Sequence, residues 1–183
     1  MAGRSSKGST FERNFSRRLS MWWTGGVHDD WFWRSHGSGG RATQRFARGQ
    51  ETTGYAGDIT ATHADAYPLL ECMSFELKCG YPKVHVADVF DAGPNLKPKW
   101  LEFWQQAKDA AEQNGSLGCA LITQRTRRQP MMWISQPIAR EMKLLMIPLP
   151  IRFVLASGEN VYGMTVDEWF ENVTPEDVLD IIA

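Results

Sequence analysis

Two short motifs constrain this chain more than any other feature: Gly57-Asp58-Ile59 and Phe75-Glu76-Leu77-Lys78. Read as strands, they place one acid on the first and an acid-x-lysine on the second. Successive side chains of a strand point to opposite faces, so Glu76 and Lys78 project to the same face. If the strands pair, Asp58 meets Glu76 with Lys78 beside them. Such a group suits a hard divalent cation and an activated water, which predicts a site that cuts phosphodiesters.

Two further motifs precede these. One is Lys7-Gly8-Ser9-Thr10-Phe11-Glu12-Arg13, and the other is Arg34-Ser35-His36-Gly37-Ser38-Gly39-Gly40. In order, the four motifs give a helix glutamate, a Ser-Gly loop, a strand aspartate and a strand Glu-x-Lys. This order over residues 7–78 resembles the PD-(D/E)xK nuclease superfamily, and within it the archaeal-type Holliday junction resolvases. A helix and strand expected at about 100–124 also fit.

The resemblance implies an α/β fold of restriction-endonuclease type, with a central mixed β-sheet and helices on both faces. It implies a Mg²⁺-dependent, structure-selective DNA endonuclease, in which Mn²⁺ substitutes for Mg²⁺. Asp58 and Glu76 are the expected metal ligands, and the resemblance adds the Leu77 carbonyl and Glu12. The expected catalytic residues are Glu12, Ser38, Asp58, Glu76 and Lys78. A four-way junction has two-fold symmetry, so we expect a homodimer with two active sites.

Each strand residue also has a purely structural explanation. Glu76 and Lys78 are compatible with an exposed ion pair, and Asp58 with a turn residue after a glycine. If the register of the strands differs, Asp65 and Glu71 are the substitute acids.

The two earlier motifs leave similar alternatives open. A glutamate one turn into a helix, as at Glu12, also interacts favourably with the helix dipole. Ser38 also fits an ordinary flexible loop. Lys78 is expected to orient water or stabilise the phosphate, because service as a general base requires its pKa to fall.

Charge is unevenly distributed along the chain, although the formal net charge is −1. Residues 1–48 carry nine Lys or Arg against three acids, whereas residues 156–183 carry seven acids and no Lys or Arg. A basic region suits phosphate contacts, which give salt-dependent affinity. The arginines expected to contact DNA are Arg13, Arg17, Arg34, Arg41, Arg45, Arg48, Arg125, Arg127 and Arg128.

The three cysteines, Cys72, Cys79 and Cys119, form no metal-binding or disulfide pattern and indicate a reducing compartment. No apolar stretch is long enough to span a bilayer, so we expect a cytoplasmic protein without membrane contact.

Apolar periodicity predicts the remaining elements. We expect helices from about Ser9 to Gly25, at 99–114, at 138–146, and after Thr165 and Thr174. We expect strands at 31–34, 59–62, 72–78, 117–123, 131–134 and 151–155, and a mobile polar loop at about 35–56. Residues 1–183 are interpreted as one nuclease domain whose last helices occupy about 165–183.

Three other functions stay compatible with these patterns. The first is a different phage or restriction-like nuclease of the same superfamily. The second is a non-catalytic DNA-binding module on this fold, which the presence of Asp58, Glu76 and Lys78 disfavours. The third is an α/β domain with an accidental motif, which predicts neither DNA affinity nor a metal effect.

Overall fold

The computed structural model describes residues 5–35, 57–93, 95–142 and 151–182. The helices in these ranges are α1 (Ser5–Trp23), α2 (Tyr67–Cys72), α3 (Asp88–Asp91), α4 (Lys99–Asn114), α5 (Gln136–Glu141), α6 (Val166–Asn172) and α7 (Pro175–Ile182). The strands are β1 (Phe32–Arg34), β2 (Ile59–Ala61), β3 (Met73–Cys79), β4 (Gly118–Gln124), β5 (Met131–Ser135), β6 (Ile151–Val154) and β7 (Asn160–Thr165).

Five strands form a mixed sheet in the order β3-β4-β5-β7-β6. Strands β3 and β4 are parallel, and the other neighbours are antiparallel. Strand β3 therefore lies at one edge of this sheet. The shorter strands β1 and β2 form an antiparallel pair of their own.

The expected pairing of β2 with β3 is wrong. Strand β2 pairs with β1, and the turn before β2 touches β3 through one backbone bond, from Asp58 N–H to the Phe75 carbonyl at 2.8 Å. The chain meets the edge of β3 at Gly57 and Asp58, then follows β1 away from it. Asp58 and Glu76 are thus brought together by this turn rather than by a ladder between strands.

Helices cover both faces of the sheet, as expected. On one face, Phe15, Leu19 and Trp23 of α1 are buried at four-residue spacing, and the Phe15 ring lies 5.7 Å from that of Phe75. On the other face, α4 buries Trp100 and its neighbours against β4 and β5. Alternation along the strands sends apolar side chains into both layers, which explains two separate buried clusters.

The ends of several helices follow their capping residues. Helix α4 ends at Gly115, which adopts φ +69° as a left-handed C-cap. Helix α6 begins with the predicted capping box, in which Thr165 and Glu168 bond each other's backbone N–H groups. Helix α5 is the observed part of the helix expected at 138–146, and positions 143–146 lie outside the described ranges.

Four elements of the described ranges were not predicted: the short helices α2 and α3, a 3₁₀ turn (Ala64–Ala66), and strand β7, which carries Gly163. A Cβ at Gly163 would lie 2.5 Å from the Trp133 ring, so the glycine makes room for that tryptophan. In the described ranges, no helix combines the length and the apolar character that crossing a bilayer requires.

Candidate active site

Asp58 is fixed on the open edge of β3 by two hydrogen bonds. Its backbone N–H donates to the Phe75 carbonyl at 2.8 Å, and the Leu77 N–H donates to its Oδ2 at 2.7 Å. Asp58 is 5 % exposed, so the carboxylate is buried while held by the strand that carries Glu76 and Lys78. A charged acceptor strengthens such a bond, which makes the orientation of this side chain well defined.

Gly57 permits this close approach. Its φ is +83°, a left-handed conformation that favours glycine, and a Cβ there would lie 2.7 Å from the Phe75 carbonyl oxygen. Both the backbone conformation and the lack of space require glycine at this position. The Gly-Asp sequence is therefore part of how the aspartate reaches β3.

Ser35 holds the same turn from the other side. Its hydroxyl donates to the Gly57 carbonyl at 2.6 Å, and its backbone N–H donates to the Asp58 carbonyl at 2.9 Å. Ser35 is buried. The sequence placed Ser35 inside the Ser-Gly motif but gave it no role. The sequence offered one indication of this structural role, which is that Ser35 directly follows a predicted strand.

Glu76 and Lys78 form a close, largely buried ion pair on the α4 side of β3. Lys78 Nζ lies 2.5 Å from Glu76 Oε1, and the two side chains are 18 % (Lys78) and 10 % (Glu76) exposed. Lys78 Nζ also lies 5.4 Å from the centre of the Phe103 ring of α4. The same-face projection predicted from the strand period is confirmed, and burial excludes the exposed-pair interpretation.

Three carboxylates influence one another at this site. Burial and then the charge of Asp58 raise the pKa of Glu76 to about 7, although Lys78 partly opposes the shift. The pKa of Glu12 is also raised, mainly by burial and secondly by the charge of Asp58. Arg34, whose Nε lies 3.6 Å from Glu12 Oε2, partly opposes this shift. Glu12 of α1 is therefore close enough to join the strand acids electrostatically, as the four-motif order implied.

Lys78 is a stable cation in this arrangement. Burial alone would lower its pKa, but attraction to Glu76, the hydrogen bond between them and the charge of Asp58 raise it above the ordinary value. A general base at this position would need the opposite shift. The direction of this shift favours the ammonium form of Lys78 over a neutral amine.

The residues present fit a hard divalent cation. Among the described residues, no group of three or more acidic, histidine or cysteine side chains forms a ready metal cage. Mg²⁺ is commonly held by one or two carboxylates, with water and substrate oxygens filling the remaining positions. Asp58 and Glu76 would supply these carboxylates. The N–H and the carbonyl of Leu77 point to the same edge of β3, so the carbonyl would be available to the same cation.

A family model of phage putative PDDEXK endonucleases matches residues 3–180 of the chain. The protein belongs to this family. No curated protein and no solved structure gives a match. The membership confirms the PD-(D/E)xK superfamily, agrees with the observed α/β fold and supports both a nuclease and a phage origin. The likeness to archaeal-type Holliday junction resolvases stays a prediction.

The arginines of this endonuclease differ in their surroundings. Arg17 pairs with Asp29 and Arg34 lies beside Glu12, so nearby acids offset their charges. Arg13 is exposed on α1 and reaches as far as Thr10, at 3.5 Å. Contact of these three arginines with DNA stays a prediction.

The turn between β4 and β5 carries the other described arginines of the predicted DNA-binding set. Arg125, Arg127 and Arg128 are exposed there, and Arg125 Nη1 lies 2.7 Å from Nδ1 of His85. The candidate site residues that lie outside the described ranges are Ser38, Arg41, Arg45 and Arg48.

The substitute acids are not needed. Asp65 lies in a short 3₁₀ turn with a largely exposed side chain beside His63, and Glu71 is exposed on α2. Neither is among the groups that shift the pKa of Glu12, Glu76 or Lys78. Asp58 and Glu76 are therefore the acids that this fold brings together.

Proposed function

We propose that this protein is a Mg²⁺-dependent, structure-selective DNA endonuclease that cuts four-way junctions as a homodimer. The main support for the proposal is the buried group at the edge of β3. There the Leu77 N–H donates to the Asp58 carboxylate, and the residues on either side of Leu77, Glu76 and Lys78, form an ion pair. Membership of an endonuclease family supports hydrolysis as the reaction. The order of the four sequence motifs supports the junction as the substrate.

Each residue has a distinct part in this proposal. Asp58, Glu76 and the Leu77 carbonyl would hold the cation, and Glu12 would complete the negative group from α1. When bound there, Mg²⁺ would supply charge neutralisation at the phosphate and a more acidic water. The Lys78 ammonium, 2.5 Å from Glu76, orients the attacking water or stabilises the charge that develops on the phosphate. The resemblance adds Ser38, which lies outside the described ranges, as a further catalytic residue.

The homodimer follows from the substrate. A four-way junction presents two equivalent strands, and paired cuts need two active sites related by the same two-fold axis. DNA contacts from the basic N-terminal region and from the β4–β5 turn would position the junction without reading its sequence.

The experiment that tests the proposal is cleavage of a labelled four-way junction, a linear duplex and a single strand, with Mg²⁺ or with EDTA. The wild type is compared with Asp58→Asn and with Asp109→Asn, an exposed aspartate of α4. We expect paired nicks on the junction only, lost with EDTA and reduced at least about 100-fold by Asp58→Asn, which corresponds to about 2.7 kcal/mol. Asp109→Asn should cut normally.

Other outcomes contradict specific parts of the proposal. Cutting of all three substrates would retain the nuclease and overturn junction selectivity. Salt-sensitive DNA binding without cleavage under any condition would favour a non-catalytic binding module. Sedimentation of the protein with and without the junction tests the homodimer, which a 1:1 active complex would overturn.

A further inference from the structure

A second concave surface lies beside the candidate active site, and none of the residues assigned to the metal contributes to it. It is a cleft of about 610 Å³ on the α4 side of the sheet, at the turn between β4 and β5. We name it the basic cleft and define it by Val84, Val86, Trp100, Arg125, Arg127 and Arg128. A volume of this size suits a small ligand or a single nucleotide rather than a duplex.

The cleft carries positive charge without compensating acids. No aspartate or glutamate lines it, and its three arginines form no ion pair with any acid in the described ranges. Arg17 and Arg18 differ in this respect, because they pair with Asp29 and Asp167 at 2.5 Å. An uncompensated group of guanidinium ions is suited to phosphate, which it binds in a planar, bidentate manner.

One of these arginines contacts a histidine rather than an acid. Arg125 Nη1 lies 2.7 Å from His85 Nδ1, and the His85 backbone N–H donates to Asp88 Oδ2 at 3.0 Å. The Asp88 carboxylate is therefore used by the backbone of the α3 segment and does not pair with the arginine. Arg125 is oriented in this way without losing its charge.

The register of the sheet connects the cleft to the active site. Thr123, which lines the cleft, is the β4 partner of Lys78 on β3. Residues opposite each other in neighbouring parallel strands project to the same face, and adjacent strands lie about 4.8 Å apart. The cleft therefore begins one strand away from Lys78, on the face to which Lys78 projects.

The floor of the cleft is apolar. Val84 and Val86 are half-buried, and Trp100 lies beneath them with 1 % exposure. The Trp100 indole N–H has no hydrogen-bond partner among the described residues. Because the Trp100 ring lines the cleft, its indole N–H signal can report a ligand bound there.

We propose that the basic cleft binds one unpaired nucleotide of the DNA strand, next to the phosphate that is cut. Arg125 and Arg128 hold its phosphate, and the apolar floor takes its sugar and base. The assignment to a DNA strand rests on the proposed function, whereas nucleotide binding rests on the cleft alone. A site for an unpaired nucleotide would favour branched or frayed DNA over continuous duplex.

The first experiment measures binding without metal, so that it does not depend on cleavage. The full chain, with ¹⁵N-labelled tryptophan and in EDTA, is titrated separately with thymidine 5′-monophosphate, thymidine and inorganic phosphate. The indole N–H signals of Trp22, Trp100 and Trp133 are followed by NMR. We expect the monophosphate to shift the Trp100 signal saturably. Its dissociation constant should be lower than that of thymidine or of phosphate alone.

Matched variants assign the binding to the cleft. Arg125→Gln with Arg128→Gln should weaken the monophosphate at least ten-fold, whereas Arg140→Gln, at an exposed arginine paired with Glu141 on α5, should not. An unchanged indole signal of Trp22, whose N–H donates to the Val173 carbonyl at 3.0 Å away from the cleft, shows that each ligand-free variant has folded. Equal binding in the double variant and the wild type, or no response of the wild type, would overturn the proposal. Equal responses to phosphate and the monophosphate would reduce the cleft to an anion site and overturn it.

The second experiment identifies the source of the nucleotide. A hairpin duplex with a three-nucleotide single-stranded tail should shift the Trp100 signal, and the same hairpin with a blunt end should not. Binding of the free monophosphate without any response to the tailed hairpin would overturn the DNA assignment. Both experiments use EDTA, so they do not depend on cleavage. If the cleft does not bind a nucleotide, junction cleavage can still be observed. If the protein is not a nuclease, nucleotide binding can still be observed.

Discussion

The backbone N–H of Leu77 donates a 2.7 Å hydrogen bond to Oδ2 of Asp58. The aspartate of one motif is therefore fixed by the strand that carries the glutamate and lysine of the other. Such fixation before substrate arrives is a recognised source of catalytic efficiency, because the groups need not reorganise during reaction. The same bond makes the backbone around Asp58 as important as its carboxylate.

The first prediction concerns Gly57. Gly57→Ala places a Cβ 2.7 Å from the Phe75 carbonyl oxygen, so the turn must move and displace Asp58. Gly158→Ala is the matched control, because Gly158 has φ +84° but a Cβ added there would meet nothing within 4 Å. Both variants should lose about 1–3 kcal/mol of stability through backbone strain. Only Gly57→Ala should also lose cleavage, by at least ten-fold, when both are assayed well below their melting temperatures.

The second prediction concerns Ser35. Ser35→Ala removes the 2.6 Å hydrogen bond to the Gly57 carbonyl and leaves a buried acceptor without it, at a cost of about 1–2 kcal/mol. The looser turn should raise the Mg²⁺ concentration needed for half-maximal cleavage several-fold. Ser116→Ala, which removes a 2.7 Å bond to the Leu70 carbonyl, should reduce stability comparably. A changed Mg²⁺ requirement in the Ser116 variant would contradict this interpretation.

The third prediction concerns pH and Glu76. Burial and Asp58 raise the pKa of Glu76 from 4.5 to about 7, so the folded state binds more protons than the unfolded state between these values. The resulting contribution to stability is present below about pH 4.5 and is lost as pH rises through about 7. The melting temperature of the protein in EDTA should therefore fall between pH 5 and pH 8.

The variant Glu76→Gln tests this assignment. It should flatten that part of the pH profile and stabilise the metal-free protein at pH 8 by about 1–3 kcal/mol, since one pKa unit corresponds to about 1.4 kcal/mol. Thermal unfolding followed by circular dichroism measures both effects. Identical pH profiles for the variant and the wild type would show that another group is responsible.

The fourth prediction concerns Lys78 and has the opposite sign. Lys78→Met leaves the buried Glu76 carboxylate without its cation, so it should destabilise the metal-free protein at pH 8 by about 2–4 kcal/mol. The loss should be smaller at pH 5, where Glu76 is protonated. In the double variant with Glu76→Gln, most of the lost stability should return, and a double-mutant cycle measures this coupling. Additive effects of the two substitutions would contradict the pairing.

The elements predicted well from sequence are those with long, regular patterns. Helix α4 shows an apolar repeat closed by Gly115, and β3 shows strict alternation around Glu76 and Lys78. The meeting of Glu76 and Lys78 on one face was predicted because it depends on that alternation, whereas the turn that brings Asp58 to them was not. Pairing of β2 with β1 depends on contacts distant in sequence, which local patterns do not contain.

The missed strand β7 has a similar explanation. Gly163 lowers the local tendency to form a strand, yet it is required because the Trp133 ring occupies the space of its side chain. Ser35 was undervalued for a related reason, since its partners Gly57 and Asp58 follow a long intervening segment. In both cases the sequence shows the residue and only the tertiary structure shows its partner.

The two bonds from Ser35, to the carbonyls of Gly57 and Asp58, bear on the length of the intervening segment. They join Ser35, which precedes the segment 36–56, directly to Gly57 and Asp58, which follow it. The entropic cost of closing a longer loop grows slowly with its length. We therefore expect the position of Asp58 to tolerate changes in the number of residues between 36 and 56, because the two bonds from Ser35 lie outside that segment.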